Sequence, residues 1–101
     1  MGAGWVGILS VELHFPENHS LKGKRKELLS VKAQLQRRFG ASVAEVDHHE
    51  LWQRAKLTVA CAARTAREAD ELAAGAERWL ASSESTLVRC DRLLVAPEDE
   101  D

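Results

Sequence analysis

The chain has 101 residues, of which 45% are hydrophobic and 30% are charged. That length suits one domain with one core, and that composition excludes a disordered chain and a bundle of membrane-spanning helices. The formal net charge of −2 means that any nucleic-acid site must arise from local clustering of cations. The first residues lack the basic-then-apolar order of a secretory signal, so we expect a cytoplasmic protein without a membrane partner.

The first predicted elements are a strand and a helix. Apolar residues alternate over Trp5–Phe15, with the odd positions expected to face the core. Pro16 ends this run, Ser20 is the expected N-cap of a long helix, and Gly40 ends that helix. Lys32 lies beside the apolar arc of the helix, so we expect it to form an ion pair with a strand carboxylate or to reach a subunit interface.

The second half of the chain contains three predicted strands and one predicted helix. Residues 41–47 and 57–63 are predicted strands, joined by a segment too long for a two-residue hairpin. Thr65 and Glu68 form a capping box that begins the second helix. Residues 86–96 supply the last strand.

The predicted order is βαββαβ, which is the arrangement of a ferredoxin-like fold. We therefore predict an α+β sandwich, with a four-stranded antiparallel sheet and two helices on one face. Residues 1–97 are expected to form this single domain, followed by an acidic C-terminal tail over 98–101. Cys61 and Cys90 lack a CxxC spacing and are expected to be reduced thiols, the alternative being a bridge between neighbouring strands.

The first predicted helix carries most of the clustered positive charge. Seven of the fourteen Lys and Arg residues fall between Ser20 and Phe39, where Glu27 is the single acid. Cations at a helix start oppose the helix dipole, which favours a site for RNA phosphates. The alternative, which we weigh slightly ahead for this feature taken alone, is a solvated helix start neutralised by nearby acids. The predicted nucleic-acid-binding residues are Lys22, Lys24, Arg25, Lys26, Arg37, Arg38 and Arg54.

The open face of the predicted sheet is half apolar, although a solvent-facing sheet surface normally alternates to polar residues. Trp52 lies in the segment between the second and third predicted strands. Its side chain could be an exposed anchor for a binding partner or could pack on the domain, and we favour packing. The predicted interface residues are Val6, Ile8, Ala60, Ala62 and Trp52.

Asp47, His48, His49 and Glu50 are all of metal-ligand type. Adjacent residues of an extended segment point in opposite directions, so we favour a polar, hydrogen-bonded loop over a metal or acid–base site. The segment after the first strand contains an acid and no glycine, unlike the phosphate-cradling loop of acylphosphatase. We accordingly predict no enzyme activity, catalytic residue, metal, cofactor or small-molecule substrate.

Two motifs carry a family resemblance. The first is Leu13-His14-Phe15-Pro16 followed by His19 to Arg25, and the second is Val43 to Asp47 followed by Leu51 to Ala55. Through them the chain resembles the YlxP-like family of small bacterial proteins of unknown function. The resemblance implies a ferredoxin-like fold and a gene that often neighbours those for translation initiation factor two and ribosome-binding factor A. Gly23 is a departure, because relatives often carry a charged residue there.

The sequence thus favours a non-enzymatic module that binds RNA or the ribosome through its basic first helix. The alternative function is a protein interaction module or homodimer that uses the open sheet face.

Overall fold

The structure, a computed structural model, describes residues 3–83 and 86–97. The four strands form one antiparallel sheet in the order β2-β3-β1-β4, with both helices on one face. This confirms the predicted α+β, ferredoxin-like arrangement; the predicted acidic tail, 98–101, lies outside the described residues. The elements are β1 (Trp5–His14), α1 (Leu21–Phe39), β2 (Ser42–Asp47), β3 (Arg54–Ala63), α2 (Ala66–Ser82) and β4 (Thr86–Val95).

The predicted helix ends are confirmed by their capping geometry. The Ser20 hydroxyl accepts a hydrogen bond from the Gly23 N–H at 3.0 Å, which satisfies one of the free amides of the first turn of α1. Gly40 ends α1 with a φ of 62°, a left-handed conformation that glycine adopts without strain. At α2, the Thr65 hydroxyl accepts from the Glu68 N–H at 3.1 Å.

The core lies between the sheet and the two helices. The odd positions of β1 and β3, such as Leu9 and Leu57, are fully buried against helix residues such as Leu35 and Leu80. β3 begins at Arg54, three residues earlier than predicted, because the first residues of this strand pair with the end of β1. Tertiary pairing here overrides the weak strand propensity of alanine and charged residues.

Both cysteines carry free thiols, as predicted. Cys61 lies on β3 and Cys90 on β4, and β1 separates these two strands. Burial raises the pKa of the Cys90 thiol to about 11, so this thiol is a poor nucleophile. In the described part of the chain, neither helix combines the length and apolar character needed to cross a membrane.

β1 passes unusually close to α2 at Gly7. A Cβ at this position would lie 2.6 Å from the Ala69 carbonyl oxygen and 2.9 Å from the Ala73 Cβ. The backbone oxygen cannot move aside without shifting the helix, so the contact requires glycine.

Gly7→Ala is expected to lower the free energy of unfolding by about 1–3 kcal/mol, the usual cost of overpacking. Urea denaturation measures this change. Gly75→Ala is the matched control: its Cβ would meet the Phe39 ring at 3.0 Å, and the higher helix propensity of alanine offsets that contact. Equal losses in both variants would contradict the close approach of β1 and α2.

Candidate nucleic-acid interface

The buried ion pair of the protein is formed by Lys24 and not by Lys32, contrary to expectation. Lys24 is 2% exposed, and its Nζ lies 2.9 Å from Glu45 Oε2 on β2. Lys24 shares the buried side of α1 with Leu28, whereas Lys32 lies half-buried beside the start of β2. Among the described residues, no donor makes a well-formed hydrogen bond to this buried Glu45 oxygen, so the ammonium charge compensates it.

The same ammonium group holds the loop between β2 and β3, residues 48–53, which we call the β2–β3 loop. Lys24 Nζ donates hydrogen bonds to the carbonyl oxygens of His48 and, at 2.8 Å, of Leu51. A lysine ammonium has three donors and no acceptor. The two carbonyls therefore accept hydrogen bonds from Lys24 and tie the loop to α1, while the Glu45 carboxylate balances the charge of the ammonium group.

Side-chain amides complete the attachment of the β2–β3 loop to the chain before α1. The Asn18 Nδ2 donates to the Trp52 carbonyl and, at 2.7 Å, to the Ser20 carbonyl at the helix N-cap. The Gln53 Nε2 donates to the Pro16 and Asn18 carbonyls, each at 3.1 Å. Gly23 makes room for this network, because a Cβ there would lie 2.3 Å from Asn18 Oδ1.

The two histidines of this loop, which belong to the predicted ligand-type cluster, form hydrogen bonds. His48 Nε2 lies 2.9 Å from Glu12 Oε1, and the His48 N–H donates to Asp47 Oδ1 at 2.7 Å. These hydrogen bonds hold the pKa of both carboxyls below their ordinary values. His49 instead contacts the Glu45 carbonyl. Within the part of the chain that the structure describes, no three His, Cys, Asp or Glu side chains are placed to hold a metal ion.

The side chains at the tip of the β2–β3 loop point into solvent. Trp52 is 54% exposed and Leu51 is 47% exposed, so the expectation that Trp52 packs on the domain is wrong. The loop is held through its backbone carbonyls, which leaves these side chains free. They line a shallow hollow with Glu50, Gln53 and Arg54. Sequence reasoning missed Leu51, whose only signal is its position beside an exposed tryptophan.

The predicted nucleic-acid-binding residues separate into three groups. Lys22, Arg25 and Lys26 are exposed on the first turns of α1, and none of them forms an ion pair with a described carboxylate. Arg54 lies at the same end of the sheet, in the hollow beside Trp52. The buried ammonium of Lys24 is engaged within the protein, so Lys24 does not belong to the exposed set.

Arg37 and Arg38 form the third group, at the far end of α1. Fifteen residues separate Lys22 from Arg37, which is about 22 Å along a helix. Both arginines donate to Gln34 Oε1, and the Arg38 guanidinium lies 5.7 Å from the centroid of the Trp79 ring. These contacts and the favourable dipole at a helix C-terminus give both arginines a structural role.

The chain matches a family described as a protein of unknown function, DUF503, over residues 6–91. It belongs to the DUF503 family. No curated protein matches the chain.

The open sheet face of this DUF503 protein carries a larger apolar patch than predicted. Pairing with β1 places Val95 opposite Val6 and Leu93 opposite Ile8, and Leu93 is 60% exposed. Sequence reasoning missed both β4 residues, because a β-bulge at Val88 interrupts the alternation of that strand. We define the open-face patch by Val6, Ile8, Ala60, Ala62, Leu93 and Val95.

Lys24→Met is expected to lower the free energy of unfolding by about 3–5 kcal/mol, because it leaves the buried Oε2 of Glu45, whose side chain is 16% exposed, without a compensating charge. Lys22→Met is the control, and removing this exposed ammonium should change stability by at most about 0.5 kcal/mol. Urea denaturation of both variants tests the prediction. Equal stabilities of the two variants would show that Lys24 does not hold this end of the fold.

Proposed function

We propose that this DUF503 protein is a non-enzymatic RNA-binding module that contacts phosphates through Lys22, Arg25, Lys26 and Arg54. We call these four residues the basic surface. The observation that carries the proposal is a group of exposed cations on the first turns of α1 that lack an ion-pair partner among the described carboxylates. A bound anionic ligand would neutralise the positive charge of the basic surface, which no described carboxylate does through an ion pair.

The position of these cations makes the lack of partners informative. Lys22 lies in the first turn of α1, where the helix dipole already presents positive charge, and that turn contains no acid. The amides of Gly23 and Lys24 are already bonded to Ser20, so phosphates would be held mainly by side chains. Contacts of this kind give weak sequence preference and strong salt dependence.

The ribosome is the partner that the family resemblance favours. The chain resembles the YlxP-like family. That resemblance implies a gene that often neighbours the genes for translation initiation factor two and ribosome-binding factor A. Ribosomal RNA presents a dense array of phosphates, which matches the charge of the basic surface.

Lys22→Glu/Lys26→Glu is expected to abolish salt-sensitive binding to ribosomal subunits and to a structured ribosomal RNA fragment, because it reverses two phosphate contacts. A salt titration of wild type and variant measures the effect. Arg64→Glu/Arg67→Glu is the matched control, with the same charge change beside the start of α2, at the opposite end of the sheet. Equal losses in both variants, or no wild-type binding at low salt, would refute the proposal.

A second candidate function is homodimerisation through the open-face patch. The exposed Leu93 and Val95 side chains extend the apolar surface onto β4, so that it spans three neighbouring strands, β3, β1 and β4. A second copy of the chain presents the same patch, so a two-fold axis would bury apolar surface on both sides. The charged residues at the other end of this face, such as Lys56 and Arg89, would form the polar rim.

Leu93→Glu is expected to convert a dimer to a monomer, because it places a carboxylate within the buried apolar contact. Light scattering over a range of protein concentrations measures the mass. Val88→Glu introduces the same charge at an exposed apolar position of β4, outside the open-face patch, and should leave the dimer intact. A wild-type protein that stays monomeric at high concentration would eliminate this candidate.

A further inference from the structure

The β2–β3 loop displays a large aromatic side chain on a backbone that is already fixed. Trp52 is 54% exposed, yet its carbonyl accepts from Asn18, and the carbonyl of its neighbour Leu51 accepts from the buried Lys24. Gln53 continues this attachment, because its carbonyl accepts from the Phe15 N–H at 2.8 Å. The backbone beneath Trp52 is therefore ordered before any ligand arrives, which lowers the entropy lost on binding.

Positive charge lies close to this aromatic side chain. Arg54 lines the same hollow as Trp52, and the Asn18 amide connects the Trp52 carbonyl directly to the N-cap of α1. Lys22, Arg25 and Lys26 follow on the first turns of that helix. A flat aromatic surface beside several cations is the combination that binds a base together with its phosphates.

We propose that Trp52 is a stacking platform for an unpaired RNA base, with the neighbouring phosphates on the basic surface. The ligand class is therefore single-stranded or looped RNA, and this inference rests on the proposed RNA-binding function. Stacking of a base on an aromatic ring tolerates any base, because every base has a π-face.

The geometry of the β2–β3 loop argues against duplex RNA as the ligand. In an A-form helix the base faces are stacked on one another, and the major groove is too deep and narrow for side chains to read. Opening a stacked step costs a few kcal/mol, which the contact with one tryptophan would have to offset. A base that is already unpaired needs no such separation.

Glu50 limits how the strand can lie. Glu50 lines the same hollow, two residues before Trp52 and four before Arg54, and its negative charge repels phosphates. The phosphates next to the stacked base should therefore follow Arg54 and the start of α1.

The test compares a short unstructured RNA with the same RNA paired to its complement, by fluorescence anisotropy of a label on the RNA. Wild type is expected to bind the single strand more tightly than the duplex. Trp52→Ala should weaken single-strand binding about 5- to 150-fold, which is the range of one lost base stack. Trp52→Phe should retain most of the affinity, because it keeps an aromatic face.

The control is Val88→Ala, which truncates an apolar side chain of similar exposure on β4 and should leave RNA binding unchanged. Urea denaturation verifies that Trp52→Ala remains folded. Unchanged single-strand affinity of Trp52→Ala, or a wild-type preference for duplex, would overturn the stacking inference while leaving the basic surface in place. If wild type binds neither RNA at low salt, the proposed function fails and the inference fails with it.

Discussion

The ammonium group of Lys24 is the constraint on which one end of this protein depends. Removing a lysine charge from water is costly unless its donors are satisfied, and here one carboxylate and two carbonyl oxygens surround it. Those three acceptors come from β2 and from the β2–β3 loop, whereas the lysine comes from α1. These contacts therefore fix the first turn of α1, the edge strand β2 and the β2–β3 loop relative to one another. The exposed side chains of the loop are consequently attached to an ordered backbone.

Helical geometry places the cations of the short basic segment over residues 22–26 on two different sides of α1. Successive residues of a helix differ in direction by about 100°, so Lys24 points into the protein while Lys22 and Lys26 point into solvent. The Lys24 ammonium group has a structural role, so replacing Lys24 should lower the stability of the fold. A loss of RNA affinity in such a variant would not show that Lys24 contacts RNA. The exposed lysines form no ion pair with a described carboxylate, and the RNA-binding proposal therefore depends on them and not on Lys24.

Local signals explain what the sequence predicted correctly. The caps at Ser20 and Thr65 and the alternation of β1 depend on neighbouring residues, and all three are confirmed. The state of Lys24 and Trp52 depends on contacts over 21 or more positions along the chain, such as those with Glu45 and Asn18, which no periodicity reports. Leu93 was missed for a related reason, because a bulge in β4 decides which of its residues share a face with Ile8.

The two candidate functions use surfaces at opposite ends of the molecule. The open-face patch lies where β1 begins, at Val6 and Ile8, whereas the basic surface lies beyond the end of that strand, which ten residues of β1 place about 30 Å away. A dimer formed through the patch would therefore leave both copies of the basic surface accessible. Two such surfaces on one particle raise the apparent affinity for a long RNA without any new contact, provided that the RNA can span them. Dimerisation and RNA binding would then reinforce each other, because a dimer formed through the open sheet face would bring together two copies of the proposed phosphate-binding surface.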